Sequence, residues 1–265
     1  MSAADVEDPE PEPPAPPRRS QLRWWKEVLY IAVFYGVYSF IRNTQGSATV
    51  SAAHAFSNAR KVIRAERAMG LYFEEAVQEA FLDWRWFIQF WNVFYGTFHF
   101  VVTITALVLL FRRFPDRYPR WRNTLAATTA LALIGFATYP LMPPRLLPEP
   151  YGFVDTLRVY GGLWSFESGP VAQVSNQYAA MPSLHFAWST WSALVLYPML
   201  TRPWARLLAA LYPVATLFAI VVTGNHFWLD AVGGALVLAV GAAVGFALAG
   251  ATTRHPVDDA VPNRA

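Results

Sequence analysis

The chain has 265 residues, 55% of them hydrophobic and 15% charged, with a formal net charge of +3. A soluble domain carries about 25% charged residues, and here the shortage is concentrated: no charged residue lies between Arg122 and Arg145, Glu167 and Arg202, Arg206 and Asp230, or Asp230 and Arg254. Stretches of that length match the roughly 20 apolar residues that span a bilayer, which excludes a soluble enzyme or a disordered chain, and the absence of cysteine excludes a disulfide scaffold and thiolate chemistry.

Residues 1–23 hold six prolines and the acids Glu7, Asp8, Glu10 and Glu12, a composition that predicts a disordered tail. From Trp24 the chain turns apolar, and no small-residue cleavage site follows, so this segment is expected to be an uncleaved anchor. Hydropathy predicts an all-α polytopic bundle of about six spanning helices, near 25–42, 86–112, 122–142, 183–201, 204–223 and 226–250, because lipid leaves each backbone amide to be satisfied within its own segment. The stretch 49–83 differs. It mixes basic and acidic residues with apolar ones at helical spacing, and Gly70 divides it into two amphipathic helices expected to lie in the interface or to cover the bundle. The domain therefore runs over 24–250, with a tail at 251–265.

Thirteen of the 21 basic residues fall on one side of this arrangement, including Arg112, Arg113, Arg117, Arg120 and Arg122 in a single loop. The positive-inside rule then places both termini in the cytoplasm and leaves 49–83, 143–182 and the turn at Gly224–Asn225 outside a plasma membrane. Since the basic residues flank apolar segments, they speak for topology and against nucleic acid as a partner.

Three segments carry polar chemistry. In TGNHFWLDAVGG, His226 and Asp230 are four residues apart, one helical turn, so the carboxylate can fix one imidazole nitrogen and free the other to attack. Asp230 falls within an apolar span, where an ionisable residue is a functional candidate. In AAMPSLHFAWS, Pro182 suits a first helical turn and Ser183 offers a hydroxyl beside its free amides, which puts His185 at the outer end of the fourth span, on the same face as His226. Each histidine then stands near a helix N-terminus, whose dipole and free amides suit a phosphate. In YPLMPPRLLPEPYGF, Pro143 and Pro144 end the third span, and Arg145 reaches the same layer, where its guanidinium could hold a phosphoryl group. Asn92, Tyr95 and His99 make an i, i+3, i+7 stripe on the second span that is read as interhelical hydrogen bonding. His54 and His255 are expected at the surface.

A proline followed by Ser-Leu-His, and about 40 residues later His-x-x-x-Asp, resembles the type-2 phosphatidic acid phosphatase superfamily, in particular its inositol phosphorylceramide synthase-like branch and bacterial relatives. The resemblance runs from about residue 30 to 250 and takes in the Pro-Pro-Arg segment and NQYAAMPSLH. It implies a membrane-embedded lipid phosphatase or phosphotransferase in which His226 becomes phosphohistidine, Asp230 orients it and His185 serves as general acid and then base. It also implies a lipid phosphate or phosphodiester substrate, a hydroxyl acceptor or water, and no metal or other cofactor. The family's Lys-x6-Arg-Pro motif is absent, its Ser-Arg pair falls on Ala219 and Ile220, and Leu184 replaces the usual glycine. Phosphate binding is left to Arg145 and Arg158, with Ser183, Thr223 and Asn225 as neutral donors. The same composition also suits a non-catalytic membrane protein, such as a transporter or a haem- or lipid-binding protein. Haem would need two histidines facing each other across the bundle, and a transporter would show broken helices and repeats.

Overall fold

The computed structural model describes residues 23–44, 51–161 and 177–253. The proline-rich tail over 1–22, the loop portion 162–176 and the C-terminal segment with His255 lie outside the described residues. Among the described residues the α-helices are α1 (Trp24–Thr44), α2 (Ala52–Ala68), α3 (Glu74–Leu82), α4 (Arg85–Arg113), α5 (Tyr118–Thr138), the short α6 (Thr156–Tyr160), α7 (Leu184–Leu196), α8 (Pro203–Val222) and α9 (Trp228–Thr253). The one isolated β-bridge among them joins Leu141 and Ala179.

Among the described residues, three helices are long and apolar enough to cross a membrane: Arg85–Arg113, Pro203–Val222 and Trp228–Gly250. They expose rows of large aliphatic side chains, such as Val101, Ile104 and Val108 on α4 and Leu207, Leu211 and Val214 on α8, as a lipid-facing surface would. Of the other expected spans, two hold the 21-residue helices α1 and α5, and the one expected at 183–201 holds the shorter α7. α7 has 13 residues, about 20 Å at 1.5 Å per residue, which falls short of a ~30 Å hydrocarbon core. It ends where Pro198 withdraws a backbone donor and the chain tightens into the 3₁₀ turn Tyr197–Met199.

Small residues let α5 and α9 pack closely. A Cβ on Gly241 would stand 2.8 Å from the Thr128 backbone nitrogen, and one on Gly245 would stand 2.7 Å from the Thr124 Cα. The two threonine hydroxyls are satisfied within their own helix, by Arg120 O and Thr124 O, so they add no polar cost to this contact. Behind it the fully buried Trp191 donates from its indole to Trp121 O at 3.0 Å, joining α7 to α5.

α2 and α3 cover one end of the bundle. Ala55, Ala59, Val62 and Ile63 recur at helical spacing along α2 and pack onto Leu141, Met142, Leu147 and Phe227. The turn between the two helices needs Gly70, whose φ is +71°, and its N–H returns to Arg67 O while that of Leu71 returns to Glu66 O.

Candidate active site

The site forms where the first turn of α7 meets the start of α9. Gly233 and Gly234 make this approach possible: a Cβ on Gly233 would lie 3.2 Å from Pro182 Cβ, and one on Gly234 would run into the Ser183 carbonyl. The Ser183 N–H donates to Asp230 O at 2.8 Å, a main-chain bond between the two segments. Ser183 is the N-cap of α7 and its hydroxyl accepts from Phe186 N–H. Pro182 therefore precedes the cap rather than standing in the first turn.

His226 also sits one step earlier than its spacing suggests. α9 starts at Trp228, so His226 is in the turn before the helix, yet the i, i+4 contact persists. Its Nδ1 lies 3.2 Å from Asp230 Oδ2, and the same oxygen accepts from Phe227 N–H at 2.9 Å. His226 is 3% exposed and Asp230 0%. A carboxylate on Nδ1 makes that nitrogen the proton carrier, which leaves Nε2 with its lone pair. Among the described residues Nε2 has no hydrogen-bond partner.

His185 lies beside it, with the two imidazole centroids 5.7 Å apart. Tyr95 stacks on the His185 ring at 4.1 Å, and His99 meets it edge-on at 4.2 Å. The polar stripe of α4 thus divides by role. Asn92 ties α4 to α6 through Thr156 O and Gly161 O, whereas Tyr95 and His99 pack against the histidine of α7.

Arg145 approaches from the loop after α5. Its backbone N–H donates to Gly224 O at 2.7 Å, Nε donates to Asn225 Oδ1 at 3.1 Å, and Nη1 pairs with Asp155 at 2.7 Å. Among the described residues nothing hydrogen-bonds Nη2. The turn beneath it requires Gly224, at φ +67°, where a Cβ would also press on Gln78 and Arg145. Asn225 in turn donates to Thr223 Oγ1 at 2.8 Å, and that hydroxyl donates to Ala219 O. Thr223 is thereby occupied as a donor, leaving Asn225 and Arg145 as its outward extension.

Arg158 is set apart. Its side chain is exposed on α6, where its backbone N–H caps onto Asp155, and it makes no hydrogen bond to the other residues named. Ala219 and Ile220 are fully buried core residues.

Asp155, Glu66 and Glu74 were not among the residues expected here. Asp155 sits in a polar loop without periodicity, so nothing in the sequence separates it from solvated acids. Glu66 does carry a signal: it continues the apolar stripe of Ala55, Ala59, Val62 and Ile63. Its Oε1 accepts from Leu229 N–H at 2.9 Å, and Glu74 Oε1 accepts from Trp228 N–H at 3.3 Å. With Asp230 on Phe227, three consecutive amides at the start of α9 are capped by the chain's own carboxylates. This N-terminus is therefore not open to an external phosphate, contrary to the expectation for both helix ends. The amides of α7 at Leu184 and His185 keep that role available.

Among the described residues, no group of three His, Cys, Asp or Glu side chains is arranged to hold a metal ion. No curated protein and no solved structure matches the chain significantly. A family model described as the PAP2 superfamily matches residues 60–244. That match runs from the middle of α2 to the middle of α9 and takes in every residue of the cluster around His226, and the chain belongs to the PAP2 superfamily, whose members are generally phosphatases acting on phosphate esters.

Proposed function

We propose that the protein is a membrane-embedded phosphotransferase or phosphatase that takes the phosphoryl group of a lipid phosphate or phosphodiester onto His226, in the manner of the inositol phosphorylceramide synthase-like branch. The observation that carries this reading is the buried His226–Asp230 pair with an unpartnered Nε2 next to His185. In the first step Nε2 attacks phosphorus, the bond to the leaving oxygen breaks, and His185 supplies the proton that oxygen needs. In the second, an acceptor hydroxyl gives its proton to His185 and attacks the phosphohistidine, restoring His226. Asp230 holds the ring and balances the positive charge it gains. Arg145, steadied by Asn225 and Asp155, offers Nη2 to the phosphoryl oxygens, and Ser183 and the α7 amides supply neutral support, with Thr223 acting only through Asn225. Arg158 is the weaker cation.

The active site is proposed to face outward from a plasma membrane with both termini inside, and the reaction to need no metal or cofactor. The test is phosphate release, and transfer to a polyol or lipid alcohol, from a panel of lipid phosphates by purified protein in detergent. Activity is expected to survive EDTA and to vanish in His226→Ala. Full activity in His226→Ala, or loss in EDTA reversed by a divalent ion, would overturn the reading.

A further inference from the structure

Glu66 on α2 and Glu74 at the start of α3 are both 0% exposed, and they meet over the first turn of α9. Each gives one oxygen to an α9 amide, Leu229 for Glu66 and Trp228 for Glu74. Their remaining oxygens, Glu66 Oε2 and Glu74 Oε2, are buried, and among the described residues no N–H or hydroxyl group donates to them. The groups facing Glu66 are Glu74 from α3 and Asp230 from α9, both acidic, and Leu229 N–H from α9. The nearby cation on its own helix, Arg67, is turned onto the Tyr72 ring at 4.7 Å. Among the described residues, neither glutamate forms an ion pair.

An ionised Glu66 is costly in this dry space, because burial penalises its charge and the carboxyl groups of Glu74 and Asp230 face it with no cation between them. A single proton between the two glutamates resolves the conflict. Glu66 as the acid donates to Glu74 and still accepts from Leu229. The charge left on Glu74 lies against the positive end of α9, where the helix dipole favours it. Burial, then the hydrogen bond to Glu74, accordingly push Glu66 up to about 9.

We propose that Glu66 and Glu74 form a proton-sharing acid–carboxylate clamp, and that both are positioning residues for phosphoryl transfer because they fix the Trp228 and Leu229 amides that lie between His226 and Asp230. The proposal rests on the reading of His226 as the phosphoryl acceptor, and it gives the α2–α3 cover a part in the chemistry. The clamp holds Trp228 and Leu229 while Asp230 holds Phe227, so the turn bearing His226 enters α9 at a fixed angle. Loss of the shared proton to solvent leaves two facing anions and drives the cover away from α9.

The sign of the pH effect follows from linkage. Folding raises the affinity of Glu66 for its proton, so the stability this proton contributes is fully present below about pH 4.5 and is lost as pH climbs to about 9. Glutamine at position 66 mimics the acid permanently, with an oxygen for Leu229 and an NH2 for Glu74. The experiment compares wild type, Glu66→Gln and Glu66→Ala as full-length protein in detergent, by melting temperature from pH 6 to 10 and by kcat and KM at pH 7.

Glu66→Gln is expected to keep kcat within about twofold and to lose the alkaline fall in stability. Against it, the wild-type unfolding constant should rise by up to tenfold per pH unit below pH 9. Glu66→Ala is expected to drop kcat at least tenfold with KM within about twofold, a loss that the glutamine variant rescues. Identical melting profiles for wild type and Glu66→Gln would overturn the proposal, as would a folded Glu66→Ala with unchanged kcat. The melting profiles do not depend on which residue accepts phosphate, so failure of the phosphohistidine reading would show separately, in an active His226→Ala.

Discussion

Replacing Asp230 by asparagine changes almost no volume and removes the charge beneath His226. In the structure one oxygen, Oδ2, serves both His226 Nδ1 and Phe227 N–H, while Oδ1 is buried without a partner. An asparagine that keeps its carbonyl at the Oδ2 position retains two neutral bonds and buries an NH2 with nothing to bind. One that flips points that NH2 at the Phe227 N–H and favours the tautomer with the proton on Nε2, the nitrogen proposed to attack. In either pose the ring loses a charged acceptor just as it becomes cationic. Exchanging a charge-assisted bond for a neutral one, in a site closed to water, costs about 2–4 kcal/mol in the transition state. At ~1.4 kcal/mol per decade this is a fall of about 30- to 1000-fold in kcat. KM should change little, since Asp230 makes no contact that a bound headgroup would share. The assay is initial-rate phosphate release from a lipid phosphate in detergent micelles, with a melting curve on the same preparation. A variant that melts within a few degrees of wild type and keeps more than a third of its rate would refute the assignment of Asp230 as the orienter of His226.

Arg145→Lys keeps the charge but cannot bond Asn225, Asp155 and a phosphoryl group together, so kcat/KM should fall about 10- to 100-fold; steady-state kinetics with two headgroups will check it. Gly245→Leu should force α9 away from Thr124 and lower the melting temperature by several degrees while leaving any surviving activity with an unchanged KM. For topology, a cysteine replacing the exposed Glu149 should react with an impermeant thiol reagent on intact cells, and one replacing the exposed Asp116 should not; the reverse pattern would turn the site to the cytoplasm.

The parts of the site that were legible in the sequence are those where a polar residue interrupts an apolar run. Asp230 interrupts the last span, His185 follows Pro182 and Ser183, and Arg145 follows two prolines. Each breaks a periodic pattern and is visible for that reason. Gly70 was legible as a break between helices because the turn needs a positive φ. The length of α7 was not, since hydropathy continues through Pro198 to Leu200 and gives no sign of where the helix stops. Glu66 and Glu74 were read with the other charges of an amphipathic segment, although Glu66 lies in register with the buried alanines. Arg145 and Arg158 look alike in a polar loop, and only the third dimension separates the one held by Asn225 from the one left in the open.

The bond from Ser183 N–H to Asp230 O has a consequence for how such a protein can change over generations. It is made by main chain alone, so no substitution short of proline at position 183 removes it. The segment that bears His185 and the segment that bears Asp230 are therefore joined through the backbone. Pro148–Tyr151, by contrast, joins them only through side chains and the chain itself. Substitutions along that rim can therefore accumulate while the backbone link between the His185 and Asp230 segments stays in place.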